Sequence, residues 1–280
     1  MSNNKHGQIT TALVLAAGTG SRLYPLTQNM PKCLTMVNDI PIIKRLVSCL
    51  KRQGFKRLVI VTGYLENCIR EFLGTHAGSM QIEYIYSPLY ATTNNIYSLW
   101  MARDVINEPF LLIESDLVFD ESLIGDMLYP DRIAVATMQQ WMNGTSVTIK
   151  SNHSKFQQVK AFLEDNVNSF GEIKYKTVNI YSFSLASWHR IVKKLDKHIS
   201  DGKVNDYYEV IFAEMIADGS LSFEIVSFDD KPWYEIDTVE DLVKAERLFL
   251  TANHKTTRKN SLLQADSMGT QFVKTVKTFH

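Results

Sequence analysis

The stretch LAAGTGSRLYPLTQNMPKCL, residues 15–34, decides how the rest of the chain is read. It grows out of Thr10–Ala16, a continuous apolar run with β-branched members, the pattern of a strand buried on both faces. After it, Ala16, Ala17, Gly18 and Gly20 leave backbone N–H groups open to an anion, and glycine gives access to the positive φ angles that aim several amides at one phosphate. Arg22 and Lys32 add fixed positive charge. The string lacks the Gly-Lys-Ser/Thr of a Walker A loop and the third glycine of a dinucleotide fingerprint. A strand-to-helix turn with two surface cations accounts for a lone Gly-x-Gly, but not for the whole string with Arg22, Pro31 and Lys32 in place.

Outward from this loop, Pro41–Leu50 carries Ile42, Ile43, Leu46, Val47 and Leu50 on one helical face. Leu58–Val61 reads as a strand, Leu65–Leu73 as a helix stopped by Gly74, and Ile82–Tyr86 as a strand. A helix capped by Asn94 or Asn95 runs to Ala102, and Pro109–Glu114 is a further strand. This alternation predicts an α/β, Rossmann-like three-layer sandwich: a mostly parallel, mixed central sheet with helices on both faces. Ligands of such sheets bind beyond the carboxyl ends of the strands, where the loop and the residues after Glu114 both fall.

The second half reads as short strands at Val135–Met138, Ser146–Lys150, Phe156–Leu163, Thr177–Phe183 and Ser222–Phe228. Helices are expected at Ser187–Ile199, Tyr207–Ala217 and Thr238–Leu250, and a polar loop at Asp165–Gly171. Trp141 and Trp233 read as core residues. Residues 1–250 are taken as one domain, with residues 10–116 as a nucleotide-binding half and 117–250 as an acceptor-binding half. Residues 251–280 are basic and polar, a tail or linker that leaves a further domain or a homodimer open.

Lys+Arg and Asp+Glu both number 30, a zero net charge that gives no general attraction to nucleic acid or to an anionic membrane. No apolar run is long enough for a membrane span and no secretory h-region is present. Cys33, Cys49 and Cys68 form no Cys-x-x-Cys pair or zinc spacing, and the expectation is a cytoplasmic protein with free thiols.

Two distant acids carry the metal chemistry. The strand Leu111–Glu114 runs on through Ser115 to Asp116, and Trp233-Tyr-Glu-Ile-Asp237-Thr supplies an acid before the last helix. Mg²⁺ takes few carboxylates together with water and phosphate oxygens, a need that Asp116 and Asp237 suit. Asp237 also reads as a helix cap, and Asp116 as a turn residue. Glu114 points to the same strand face as Asp116. On the acceptor side, Lys176 is the candidate for a phosphoryl group, or else a solvated edge-strand lysine. Thr145 and Ser146 offer hydroxyls and amides, or simply form a hairpin turn. Asp206, Tyr207, Tyr208 and Glu209 combine acids and rings suited to an ammonium head group, or start a helix.

The string at residues 15–34, Asp116 and the Ile-Asp-Thr segment together resemble the nucleotidyltransferases that activate sugar phosphates and small alcohol phosphates. The resemblance implies that Leu15, Ala16, Ala17, Gly18, Gly20 and Ser115 surround a nucleotide, with Asn94 and Asn95 near base or ribose. It implies that Arg22 and Lys32 steady the α-phosphate and departing pyrophosphate, that Lys176 meets the acceptor, and that Asp116 and Asp237 bind Mg²⁺. The segments Lys-Thr-Val-Asn-Ile-Tyr181, Tyr-Tyr-Glu209 and Trp-Tyr-Glu-Ile-Asp237 look like the CTP-using branch, whose members act on phosphonates or phosphocholine. The expected reaction is CMP transfer from CTP to a small phosphonate such as 2-aminoethylphosphonate. Phosphocholine, a sugar 1-phosphate, or a non-catalytic nucleotide-binding domain stay open.

Overall fold

The computed structural model describes residues 7–139, 142–150, 157–163 and 173–250. The expected tail 251–280, the loop 165–171, Trp141 and the start of the strand expected at Phe156 lie outside the described residues. The first half holds β1 (Thr11–Ala16), the short pair β2 (Met36–Val37) and β3 (Ile40–Pro41), α1 (Ile42–Arg52), β4 (Arg57–Thr62), α2 (Glu66–Leu73), the short β5 (His76–Ala77), β6 (Met80–Tyr86), α3 (Asn95–Met101) and β7 (Phe110–Glu114). Strands β1, β4, β6 and β7 are parallel, in the order β7-β1-β4-β6.

The second half adds β8 (Leu117–Phe119), β9 (Arg132–Thr137), β10 (Ser146–Ile149), β11 (Val159–Leu163), β12 (Tyr175–Phe183), α4 (Leu185–Ser200), α5 (Glu209–Ala217), β13 (Glu224–Ser227), β14 (Trp233–Glu235) and α6 (Val239–Leu248). Strand β12 runs antiparallel to β7 and extends the same sheet. One edge of β12 takes β9; the other takes β10 at its start and β7 at its end. The sheet is therefore mixed, parallel in the first half and largely antiparallel in the second.

The sheet is covered on both faces because its strands are apolar on both. Ala12, Val14, Leu58 and Ile60 pack with Ile43, Leu46 and Leu50 of α1, while Leu13, Leu15, Val59 and Val61 pack with Ile96 and Leu99 of α3 and Trp188 of α4. A third cluster gathers Leu23, Ile42, Val118, Tyr234, Ile236 and Ala245, fastening α6 behind the phosphate loop. The predicted elements are present with shifted ends. What the strand pattern does not predict is a separate two-stranded ribbon in which β8 pairs antiparallel with β14. Three-residue strands are too short for periodicity to register.

Candidate active site

The loop after β1 is shaped by one demanding residue. Gly20 has φ 63°, and a Cβ there would lie 2.9 Å from Cβ of Lys32, so only glycine allows both the turn and the close passage of the lysine segment. The Thr27 hydroxyl donates to the Gly20 carbonyl at 2.9 Å and closes the loop. Gly18 differs: its φ is not positive and a Cβ would meet nothing within 4 Å, so it serves by leaving its backbone open.

A cleft of about 270 Å³ lies over this loop. All ten positions expected at the nucleotide line it: Leu15, Ala16, Ala17, Gly18, Gly20, Arg22, Lys32, Asn94, Asn95 and Ser115. Tyr90, Thr93, Ser98 and Tyr207 line it too, residues that no motif singled out for a nucleotide. The two asparagines divide their work. Asn94 caps α3 by accepting from the Asn95 amide at 2.8 Å, whereas the Asn95 side chain donates to Glu114 at 3.0 Å and accepts from the Tyr208 amide at 3.0 Å.

The ribbon brings the distant acids together. Glu235 pairs with Leu117, and the Ile236 amide donates to the Asp116 carbonyl at 3.0 Å. Lys32 Nζ then donates to Asp116 Oδ2 and to Asp237 Oδ1, each at 2.7 Å, and Arg22 Nη2 reaches Asp237 Oδ1 at 2.7 Å. Burial alone would lower the Lys32 ammonium, but the charges of Asp116 and Asp237 outweigh it and hold it above its ordinary value. The cap of α6 is Thr238, in a capping box with Asp241, so Asp237 is not spent on capping.

Oxygens of Asp116, Glu235 and Asp237 lie within 4.8 Å of one another, and Asp116 Oδ1 is buried without a partner among the described residues. Three hard carboxylate donors and an orphaned oxygen fit a Mg²⁺-sized cation. The pair expected at the metal is thus joined by Glu235, which the sequence could have revealed: Glu235 and Asp237 alternate along an extended segment and so share a face.

A second cleft, of about 310 Å³, opens beside the first and shares Arg22, Asn95, Glu114, Asp116, Tyr207 and Asp237 with it. Lys176 lines it, 3% exposed on β12, which excludes the solvated edge-strand alternative. Its Nζ stands 3.2 Å from Glu235 Oε2. Thr145 and Gly144 also line this cleft, and Gly144 has φ 95° beside the Lys176 ammonium. Asn179 adopts φ 58° where the β9–β12 register shifts, and from there its Nδ2 donates to Glu235 Oε1 at 3.2 Å.

The acidic wall of this cleft is Glu114 and Glu209. Glu114 accepts from the Tyr208 hydroxyl at 2.9 Å, and burial followed by the neighbouring charges of Asp116 and Glu209 pushes it up to about 8. Burial likewise pushes Glu209 up to about 7. Three acceptor expectations land elsewhere. Asp206 turns to His198, with Nε2 to Oδ2 at 2.8 Å, and does not line the cleft. The Tyr208 ring is fully buried in the aromatic core, leaving only its hydroxyl to orient Glu114. Ser146 is buried in β10, paired with Lys176 through the backbone. The helix they were expected to open begins at Glu209.

With this geometry, comparison with known proteins is specific. The chain belongs to the nucleotidyl transferase family, whose model matches residues 11–252. Its relatives include CMP-5'-(3-aminopropyl)phosphonate synthase of Streptomyces rubellomurinus, 28% identical across 85% of this chain but only 38% of that protein, so the chain spans about four-tenths of that relative's length. They also include choline-phosphate cytidylyltransferase of Streptococcus pneumoniae, 26% identical across 86% of this chain and 99% of that protein. The solved CTP:phosphocholine cytidylyltransferase from Streptococcus pneumoniae superposes with a TM-score of 0.72 at 23% identity, covering 87% of this chain and all of that one, a likeness of fold. Among the described residues, no helix is long and apolar enough to cross a membrane.

Proposed function

We propose that this chain is a Mg²⁺-dependent cytidylyltransferase that moves CMP from CTP to a small aminoalkylphosphonate and releases pyrophosphate. One observation carries the reading: Asp116, Glu235 and Asp237 converge with Lys32 and Arg22 where a phosphate-loop cleft meets a lysine-bearing second cleft. The names of the relatives support the nucleotide and the acceptor class.

An oxygen of the acceptor attacks the α-phosphorus, and the bond from that phosphorus to the pyrophosphate oxygen breaks. The nucleophile is already an anion, so no strong base is needed, and catalysis rests on positioning and charge. In this reading Lys176, with Gly144 and Thr145, holds the acceptor's phosphoryl oxygens. Arg22 and Lys32 take up charge moving onto pyrophosphate, and Gly18 and Gly20 offer backbone amides to the triphosphate. Asp116, Glu235 and Asp237 would hold Mg²⁺, which supplies neutralisation of phosphate charge when bound.

Pyrophosphate release should be measured with Mg²⁺ and CTP, offering 2-aminoethylphosphonate, phosphocholine and glucose 1-phosphate separately. Turnover with 2-aminoethylphosphonate is expected; turnover with glucose 1-phosphate alone would overturn the acceptor reading. Phosphocholine is the second reading, favoured by the relative that this chain matches almost from end to end.

A further inference from the structure

The second cleft holds an acid with one oxygen unanswered among the described residues. Glu209 is 7% exposed and lines the cleft, yet its Oε2 is buried with no hydrogen-bond partner among the described residues. Its other oxygen accepts from the Tyr181 hydroxyl at a long 3.5 Å. Glu114 stands in the same cleft with one oxygen taken by Asn95 and Tyr208. A buried carboxylate oxygen without a donor is costly, and one that lines an open cleft can be met by a donor from a bound molecule. A partner carrying positive charge and N–H donors would satisfy that oxygen and offset the other acids lining the cleft, Glu114, Asp116, Glu235 and Asp237.

We propose that Glu209, with Glu114 beside it, reads a primary ammonium group on the acceptor by accepting its N–H bonds, so that the enzyme selects an unmethylated aminoalkylphosphonate over a quaternary ammonium one. This rests on the cytidylyltransferase reading and sharpens its acceptor. A trimethylammonium group carries charge but no N–H, and would leave Oε2 as orphaned as before. It is best held by a cage of aromatic faces, and among the described residues lining this cleft the only aromatic ring is that of Tyr207. A hydroxyalkyl acceptor offers a single donor and no charge. A carboxylate–ammonium hydrogen bond is worth about 1.5–3 kcal/mol, or roughly 10–100-fold in affinity.

The test is one panel run on two proteins. Wild type and Glu209→Gln are given CTP, Mg²⁺ and in turn 2-aminoethylphosphonate, its N,N,N-trimethyl analogue, 2-hydroxyethylphosphonate and glucose 1-phosphate, and kcat/KM is read from pyrophosphate release. The expected result is a wild-type preference of roughly 10-fold or more for the primary amine over both analogues. Glu209→Gln should cut the amine by a similar factor and the hydroxyl compound by clearly less, so that the preference between the two narrows. Equal or better wild-type turnover of the trimethyl analogue overturns the inference and leaves the cytidylyltransferase reading standing, and this needs no variant to fold. Turnover of glucose 1-phosphate alone overturns both. Should Glu209→Gln weaken all acceptors equally, Glu209 is a structural residue and the inference falls.

Discussion

The two halves of the molecule are built on different principles. In the first, β1, β4, β6 and β7 lie parallel and end at the same edge, so the phosphate loop follows from local sequence. In the second, β12 reverses direction, bulges at Asn179 and is gripped by three strands, and its site residues are aimed by partners far away in sequence. The first cleft is therefore shaped by one local loop, whereas the second depends on buried charges aimed from strands far apart in sequence.

The sharpest way to break this contrast is at the ribbon that joins the halves. Asp116→Asn and Asp237→Asn should each lower kcat by about 10²–10³-fold with Mg²⁺ saturating, while far-UV circular dichroism shows the fold retained. Mn²⁺ binding followed by electron paramagnetic resonance should weaken in both. Turnover close to wild type in the two variants would sink the metal assignment.

Next in size is Lys176→Met. It strips the partner from Glu235, which is itself held above the usual carboxylate range, by burial first and by the charges of Asp116 and Asp237. Breaking a buried pair from one side costs about 3–5 kcal/mol, so urea unfolding should show the loss alongside a raised KM for the acceptor. A loss of kcat with an unchanged acceptor KM would argue against a phosphoryl contact.

Asn179 separates backbone from side chain. Asn179→Ala should cost about 1–2 kcal/mol, because φ 58° is unfavourable for a residue with a Cβ and no local polar group. Asn179→Gly spares the backbone but still frees Glu235, so it should unfold near wild type and bind Mn²⁺ more weakly. Equal Mn²⁺ affinity in wild type and Asn179→Gly would remove the positioning role.

A further effect is one of pH. Glu114 is pushed up to about 8, so the folded protein holds a proton that the unfolded chain releases near 4.5. Stability is retained below that ordinary value and falls as pH rises towards 8, by no more than about 1.4 kcal/mol per pH unit. Glu114→Gln should flatten this slope in urea melts of the ligand-free protein. Identical slopes would mean that Glu114 is ionised throughout.

How much of this was legible in sequence follows the same division. The alternating strands and helices of the first half, the cleft-lining loop and both aspartates are visible because apolar runs, glycine and charge act within a few residues. Asp237 was ambiguous only because Asp-Thr also caps helices, and the ambiguity ends once Thr238 and Asp241 are seen to form the box. Asp206 misled for a different reason. Its partner His198 sits across a turn that no periodicity describes, and pairing there removes the carboxylate from the cleft. Tyr208 reads as a ligand-facing ring, but the packing of Tyr181 and Phe212 takes the ring into the core. Glu235 lies inside the Trp-Tyr-Glu-Ile-Asp string, yet its place beside Asp116 needs the register of a three-residue strand.

The β8–β14 ribbon also sets an order of events in time. It closes a contact between Lys32 and Asp237, which are separated by 205 positions. On a ribosome the phosphate loop and Asp116 emerge and their parallel strands can pair long before Asp237 is synthesised. Such distant closures are slow steps in folding, because chain entropy is lost before the contact repays it. The carboxylate cluster of Asp116, Glu235 and Asp237 is thus assembled only when β14 docks against β8.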